Sequence, residues 1–136
     1  MTTMTTHVPW DDAYATGQPE LDAQHRELLA LCEAMAARCD TVGDGNGVAA
    51  FEDTIACFKA LARQHLAAEA ALLASHGDAA LEDCQAEAEE FEAMVEDVAS
   101  TRHFDPEELQ RFFALWCLGH LRGGVAHRAL STDLPA

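Results

Sequence analysis

Apolar side chains recur every three or four residues in four separate segments of this sequence, and this spacing constrains the fold more than any other feature. Such spacing keeps one face of each helix turned toward a shared core. Alanine, leucine and glutamate, which favour helices, are abundant, and no segment sustains the strict apolar and polar alternation of a half-buried strand. The sequence therefore predicts an all-α protein.

Breaks between the apolar stripes place four helices at about 18–40, 48–75, 79–99 and 106–130. Pro19 and Pro106 fall at first-turn positions, and Asp78 and Asp105 are candidate N-caps. The connecting loops are short, so neighbouring helices should run antiparallel. We therefore predict an up-down-up-down four-helix bundle.

The chain has 136 residues, which is the length of one domain and enough to bury a core without a partner. We expect residues 1–136 to form a single, monomeric domain. Residues 1–15 precede the first predicted helix and should form an arm, with Trp10 packed onto the bundle.

Acidic residues dominate the charge: 24 Asp and Glu stand against 8 Lys and Arg, which gives a formal net charge of −16. This charge disfavours nucleic acid and anionic membranes as partners and suits a cation or a neutral small molecule. The five cysteines are odd in number and follow no disulfide framework, so reduced thiols are expected. With no segment typical of a signal peptide or a membrane span, the expected location is the cytoplasm.

Four polar residues interrupt the apolar stripes: His25, His65, Glu69 and His120. A buried carboxylate is costly unless it is paired or bound to a metal, and Glu69 lies one helical turn after His65. In an antiparallel bundle all four lie within about one turn of a common level, roughly 10 Å from the same end. The alternative is four separately satisfied core residues, each with its own hydrogen-bond partner. The spacing favours one shared metal site.

Several motifs agree with one known family in order and spacing. They are Trp10-Asp-Asp, Thr16-Gly17, Leu21-Asp-Ala-Gln-His25, His65-Leu-Ala-Ala-Glu69, Gly77 and Trp116-Cys-Leu-Gly-His120. In these motifs the chain resembles the bacterial hemerythrins over nearly its whole length. The resemblance implies an antiparallel four-helix bundle that holds a non-haem di-iron centre and binds O2 reversibly. It also implies that His25 and His65 hold one iron. Glu69 would then bridge to a second iron held by His120.

The chain departs from the hemerythrin pattern at several expected ligand positions. Cys84 and Ala88 stand where the third helix of the family carries a His-x-x-x-His pair, and Val125 stands where the fourth helix carries a bridging Asp. In the family pattern, a Met and a Tyr occupy the positions of Leu73 and His76. Three of the seven expected ligands are therefore replaced, which puts a standard di-iron centre in doubt.

The remaining residues leave the metal open. His25, His65 and Glu69 form a two-His, one-carboxylate set that suits a single Fe(II), and adding His120 would also suit Zn(II) or Mn(II). A thiolate from Cys84 would instead favour Zn or Cu, although a buried Cys is also a common small core residue. We predict iron, with one or two ions left open, and Cys84 as a candidate ligand.

Three further residues are weaker candidates. His76 and His127 fall near the same bundle end and could supply a ligand or a proton relay, with surface histidine as the alternative. Glu87 could reach inward if the third helix is rotated.

The leading functional hypothesis is a hemerythrin-like protein that binds or senses O2 or another small diatomic. No catalytic base is apparent. The alternatives are a mononuclear non-haem iron enzyme and a metal-handling or purely structural descendant without O2 binding.

Overall fold

The computed structural model describes residues 5–39, 47–74, 78–100 and 106–123, and its regular structure there is helical throughout. A 3-10 turn at Asp12–Tyr14 precedes four helices. These are α1 (Pro19–Cys39), α2 (Gly47–Leu73), α3 (Asp78–Ser100) and α4 (Pro106–Gly123). The all-α prediction is confirmed. The predicted extension of α4 to residue 130 lies outside the described residues, as does Asp105.

The start of α1 is held by hydrogen bonds around Thr16. The backbone N–H and the hydroxyl of Thr16 both donate to Asp22 Oδ1 at 2.8 Å. The Gln18 N–H donates to Thr16 Oγ1 at 3.1 Å. Gly17 supports this turn with a φ of 84°, a conformation that costs little without a Cβ. Pro19 is the first residue of α1, as predicted, and needs no N–H partner there. These contacts fix where α1 enters the bundle.

Contacts between neighbouring helices show that they run antiparallel, because low numbers on one helix meet high numbers on the next. The contacting pairs are Gln24–His65 and Arg38–Thr54 for α1 and α2, His25–His120 and Cys32–Cys117 for α1 and α4, and Glu87–His120 and Phe91–Trp116 for α3 and α4. The predicted four-helix bundle is confirmed.

Two apolar clusters fill the bundle. The larger one centres on Phe58, Phe91 and Phe113, all fully buried, with the Phe58 and Phe113 ring centroids 4.9 Å apart. The smaller one contains Leu21 and Leu73. The polar residues of α1 and α2 fall between residues of the two clusters along each helix, so apolar packing encloses them from both sides.

The segment before α1 packs against the bundle, as predicted for Trp10. Val8 is buried in the larger cluster, and Trp10 packs against that cluster with the Arg26 guanidinium 4.4 Å from its ring centroid. The buried Gln110 amide accepts from Thr6 N–H and donates to Thr6 C=O, both at 2.7 Å. This amide pairs with the backbone as a neighbouring strand would.

In the part of the chain that the structure describes, none of the helices has the length and apolar character that crossing a bilayer requires.

Candidate metal centre

The four polar residues singled out in the sequence converge in the bundle. His25 comes from α1, His65 and Glu69 from α2, and His120 from α4, and each is at most 5 % exposed. One ligand atom from each lies within 4.8 Å of all the others. The shared level inferred from helix geometry is thus observed as a compact cluster.

The distances inside this cluster suit the ligands of one metal ion. His120 Nε2 lies 3.2 Å from His25 Nε2, 3.0 Å from His65 Nε2 and 3.0 Å from Glu69 Oε2. Glu69 Oε2 lies 2.9 Å from His65 Nε2. Metal bonds of about 2.1 Å place two ligands about 3.0 Å apart at a right angle and about 3.4 Å apart in a tetrahedron. These four separations are close to those of ligands that share one transition-metal ion.

Glu69 gives a second indication that the cluster is built for a cation. Its carboxylate is 1 % exposed, yet none of the described residues completes a hydrogen bond to Oε2. The contacts of this oxygen with His65 and His120 have the distances of ion pairs but not hydrogen-bond geometry. A buried carboxylate oxygen in that position is costly unless positive charge balances it.

Two hydrogen bonds orient the imidazole rings. His65 Nδ1 donates to Gln24 Oε1 at 2.7 Å, and His120 Nδ1 donates to a carboxylate oxygen of Glu87. With Nδ1 as the donor in each ring, Nε2 is the atom directed toward the cluster. Such outer contacts fix the tautomer and orientation of metal-binding histidines. The Trp116 ring stacks on His120 at an interplanar angle of 8° and fixes its plane.

The charges in the cluster are strongly coupled. Burial alone would raise the pKa of Glu69, but the contacts with His120 and His65 outweigh it and lower this pKa to about 2. For His120 the directions are reversed: burial alone would lower the pKa, but the contacts with Glu69 and Glu87 outweigh burial and raise this pKa to about 10. Without a metal, a proton on His120 therefore balances the Glu69 carboxylate. An incoming cation has to displace that proton.

Cys84 lies beside the cluster rather than among its four converging donors. It is 4 % exposed and packs with Leu21 and Leu73. Burial, followed by the negative charges of Glu69 and Glu87, raises the pKa of the Cys84 thiol to about 11. The thiol is therefore neutral in the metal-free protein, and ligation by Cys84 stays a prediction.

The remaining sequence candidates have different outcomes. Glu87, a weaker candidate from the sequence, points inward and contacts His120. Gln24 was not predicted, although its position directly before His25 is a signal that could have identified it. Ala88 packs against the larger cluster. His76, Val125 and His127 lie outside the described residues.

An antiparallel four-helix bundle with three His and one Glu around a buried point defines a class of helical metal-binding domain. The family model described as "Hemerythrin HHE cation binding domain" matches residues 16–123, which include the whole cluster. The chain therefore belongs to the hemerythrin HHE family. Searches of the curated proteins and of the solved structures found no match.

Proposed function

We propose that this domain binds one iron(II) ion through His25, His65, Glu69 and His120 and uses it to bind or sense O2 or another small diatomic. The observation that carries the proposal is the convergence of four buried donors within 4.8 Å. Membership of a cation-binding family supports the metal. The mixture of imidazole and carboxylate donors supports iron, while Zn and Mn remain compatible with it.

The donor spacing supports one ion rather than two. His120 is implied by the family pattern to hold a second iron, yet its Nε2 lies 3.2 Å from the Nε2 of His25 and 3.0 Å from that of His65. Two ions in a paired site lie about 3.5–4 Å apart, and each needs terminal ligands of its own besides any that bridge. On the side of α3, Ala88 offers no donor, Glu87 is engaged by His120 Nδ1, and Cys84 packs with Leu21 and Leu73.

Each neighbouring residue has a separate role in the proposed site. Gln24 and Glu87 hold the rings of His65 and His120, and Trp116 fixes one ring plane. The apolar clusters on both sides restrict access of water. When bound, ferrous iron would supply an exchangeable coordination position for a small diatomic.

Anaerobic loading with Fe(II), followed by elemental analysis, tests the number of ions. We expect one iron per chain, lost in His65→Ala and retained in His7→Ala, which changes an exposed histidine that pairs with Glu33. Two irons per chain, with the visible band of an oxo-bridged pair after exposure to air, would refute the single-ion proposal.

A separate titration tests the ligand. Addition of O2 or NO to the Fe(II) protein should change its electronic spectrum reversibly, and the metal-free protein should not respond. If the spectrum is unchanged, diatomic binding is wrong even where one iron binds. Consumption of an organic substrate together with O2 would instead favour the enzyme hypothesis.

Cobalt substitution tests Cys84. A thiolate bound to Co(II) produces a charge-transfer band in the near ultraviolet, whereas imidazole and carboxylate ligands alone do not. The band should be present in the wild-type protein and absent in Cys84→Ala if Cys84 is a ligand. Its absence from the wild type would leave Cys84 as a core residue.

A further inference from the structure

The larger apolar cluster contains a pair of cysteines that the proposed metal site does not use. Cys32 on α1 and Cys117 on α4 have their Sγ atoms 3.8 Å apart, although they are 85 positions apart in the sequence. They are 1 % and 2 % exposed. Two thiols from different helices are thus held in direct contact inside the core.

We propose that Cys32 and Cys117 form a redox site, a dithiol that a small neutral peroxide such as hydrogen peroxide oxidises to an intramolecular disulfide. This inference is independent of the metal and of any O2 chemistry. The sulfur atoms already touch, and bond formation requires them to approach from 3.8 Å to about 2.0 Å.

The surroundings favour a disulfide over a second metal site. Both side chains belong to the apolar cluster, where two thiolates and a cation would lose their hydration without compensating hydrogen bonds. A disulfide is neutral and fits an apolar core. Burial also raises the pKa of the Cys117 thiol, which disfavours a resting thiolate ligand at this position and makes the reaction with peroxide slow.

The burial of the pair selects the oxidant. At 1 % and 2 % exposure the thiols are inaccessible to a protein disulfide or to a bulky low-molecular-weight disulfide, whereas hydrogen peroxide is about as small as water. One thiol loses its proton and the resulting thiolate attacks a peroxide oxygen. The O–O bond breaks, the departing hydroxide takes up the proton and is released as water, and the sulfur remains as a sulfenic acid. The second sulfur attacks the first, the S–O bond breaks, and a second water leaves. Two thiols and one peroxide yield one disulfide and two waters.

The proposed cross-link joins the two helices that carry His25 and His120. Cys117 lies three residues before His120, and Cys32 lies seven residues after His25. The Cys32 carbonyl also accepts a hydrogen bond of 3.1 Å from Gln110 of α4. Oxidation would therefore cross-link α1 to α4 within about two helical turns of the proposed metal ligands His25 and His120.

Peptide mapping of the full chain tests the proposal. The folded protein is treated with hydrogen peroxide, then denatured, alkylated and digested with trypsin. Cleavage after Arg26, Arg38, Arg111 and Arg122 isolates Cys32 in peptide 27–38 and Cys117 in peptide 112–122, each with a single cysteine. We expect these two peptides to be joined by a disulfide, with two of the five thiols lost and both restored by a reductant.

A thermal melt gives an independent readout. A disulfide that closes a loop of this length should raise Tm by about 10–20 °C in the oxidised form. Cys57→Ala is the matched control because it removes an exposed thiol and should leave both results unchanged. Cys117→Ala should abolish the cross-link and the gain in Tm, and Cys117→Val provides a second replacement if the first does not fold.

Three results would overturn the proposal. In the first, both peptides are recovered alkylated and separate while Cys57 has been oxidised. In the second, Cys32 is found as a sulfinic or sulfonic acid without a partner. In the third, the only disulfides join different chains.

Discussion

Glu87 offers the sharpest test of how the cluster is assembled, because it contacts His120 from outside the donor set. We consider Glu87→Gln, which keeps the size of the side chain and leaves an amide oxygen to accept from His120 Nδ1. The substitution removes only the negative charge. The Glu87 side chain is 16 % exposed, so water screens that charge only partly.

The expected magnitude follows from the type of hydrogen bond. A bond to a charged group contributes about 1.5–3 kcal/mol, and a neutral one about 0.5–1.5 kcal/mol. The difference of about 1–1.5 kcal/mol corresponds to a roughly tenfold weaker metal affinity. Removing a residue that hydrogen-bonds to a metal-binding histidine commonly lowers the metal affinity by about 10–100-fold. The value expected here is at the lower end of that range because Glu87→Gln keeps the hydrogen bond and removes only the charge.

Competition with a chromophoric chelator measures the affinity, with Co(II) or Zn(II) as the probe. Glu92→Gln is the matched control, since Glu92 is a carboxylate on the same helix, half exposed and paired with Arg63 at 2.7 Å on the surface. It should leave the metal affinity unchanged. An affinity for Glu87→Gln within a factor of two of the wild type, or an equal loss in Glu92→Gln, would refute the role assigned to Glu87.

Three other outcomes are expected. Phe58→Ala should lower the free energy of unfolding by about 3–5 kcal/mol in a urea melt, because Phe58 is fully buried in the larger cluster; a loss below 1 kcal/mol would contradict its central position. Gln110→Leu should lower the free energy of unfolding by about 1–3 kcal/mol in the same assay, because the backbone N–H and C=O of Thr6 both lose their hydrogen-bond partner. It should also speed proteolysis of the segment before α1. An unchanged rate of cleavage would argue against the role of Gln110 in holding this segment. The metal-free protein should be most stable between about pH 4.5 and 6.5. Because the pKa of Glu69 is lowered, its contribution to the free energy of unfolding is complete above pH 4.5 and is lost as the pH falls toward 2. Because the pKa of His120 is raised, its contribution is complete below pH 6.5 and is lost as the pH rises toward 10. Urea melts from about pH 2 to 10 measure the free energy of unfolding and test where its maximum lies. In His120→Gln, the loss of this free energy above pH 6.5 should be smaller than in the wild type.

Local chemistry accounts for the part of the fold that was predictable. The helix bounds of α1, α2 and α3 agree with the predicted ones to within two residues, because Pro19 and the glycine-rich segment before α2 act over a few residues. The same regularity placed His25, His65, Glu69 and His120 at one level, since an antiparallel bundle converts position along a helix into height.

Contacts that depend on helix rotation were not predictable from the pattern. Glu87 lies among several acidic residues of α3 that resemble a solvated face, and only the packing of α3 against α4 turns it toward His120. The contact between Cys32 and Cys117 likewise depends on the relative height of α1 and α4, which the apolar stripes do not define to the precision of one side chain.

The position of the His120 ring has a consequence for the entropy of binding. Nε2 faces donors from α1 and α2, Nδ1 is held by Glu87 of α3, and one face lies against Trp116. The ring therefore has little rotational freedom left to lose when a cation arrives. A site of this kind is ordered by folding rather than by its ligand, so the conformational entropy that a flexible loop would lose on binding has already been lost when the four helices assemble.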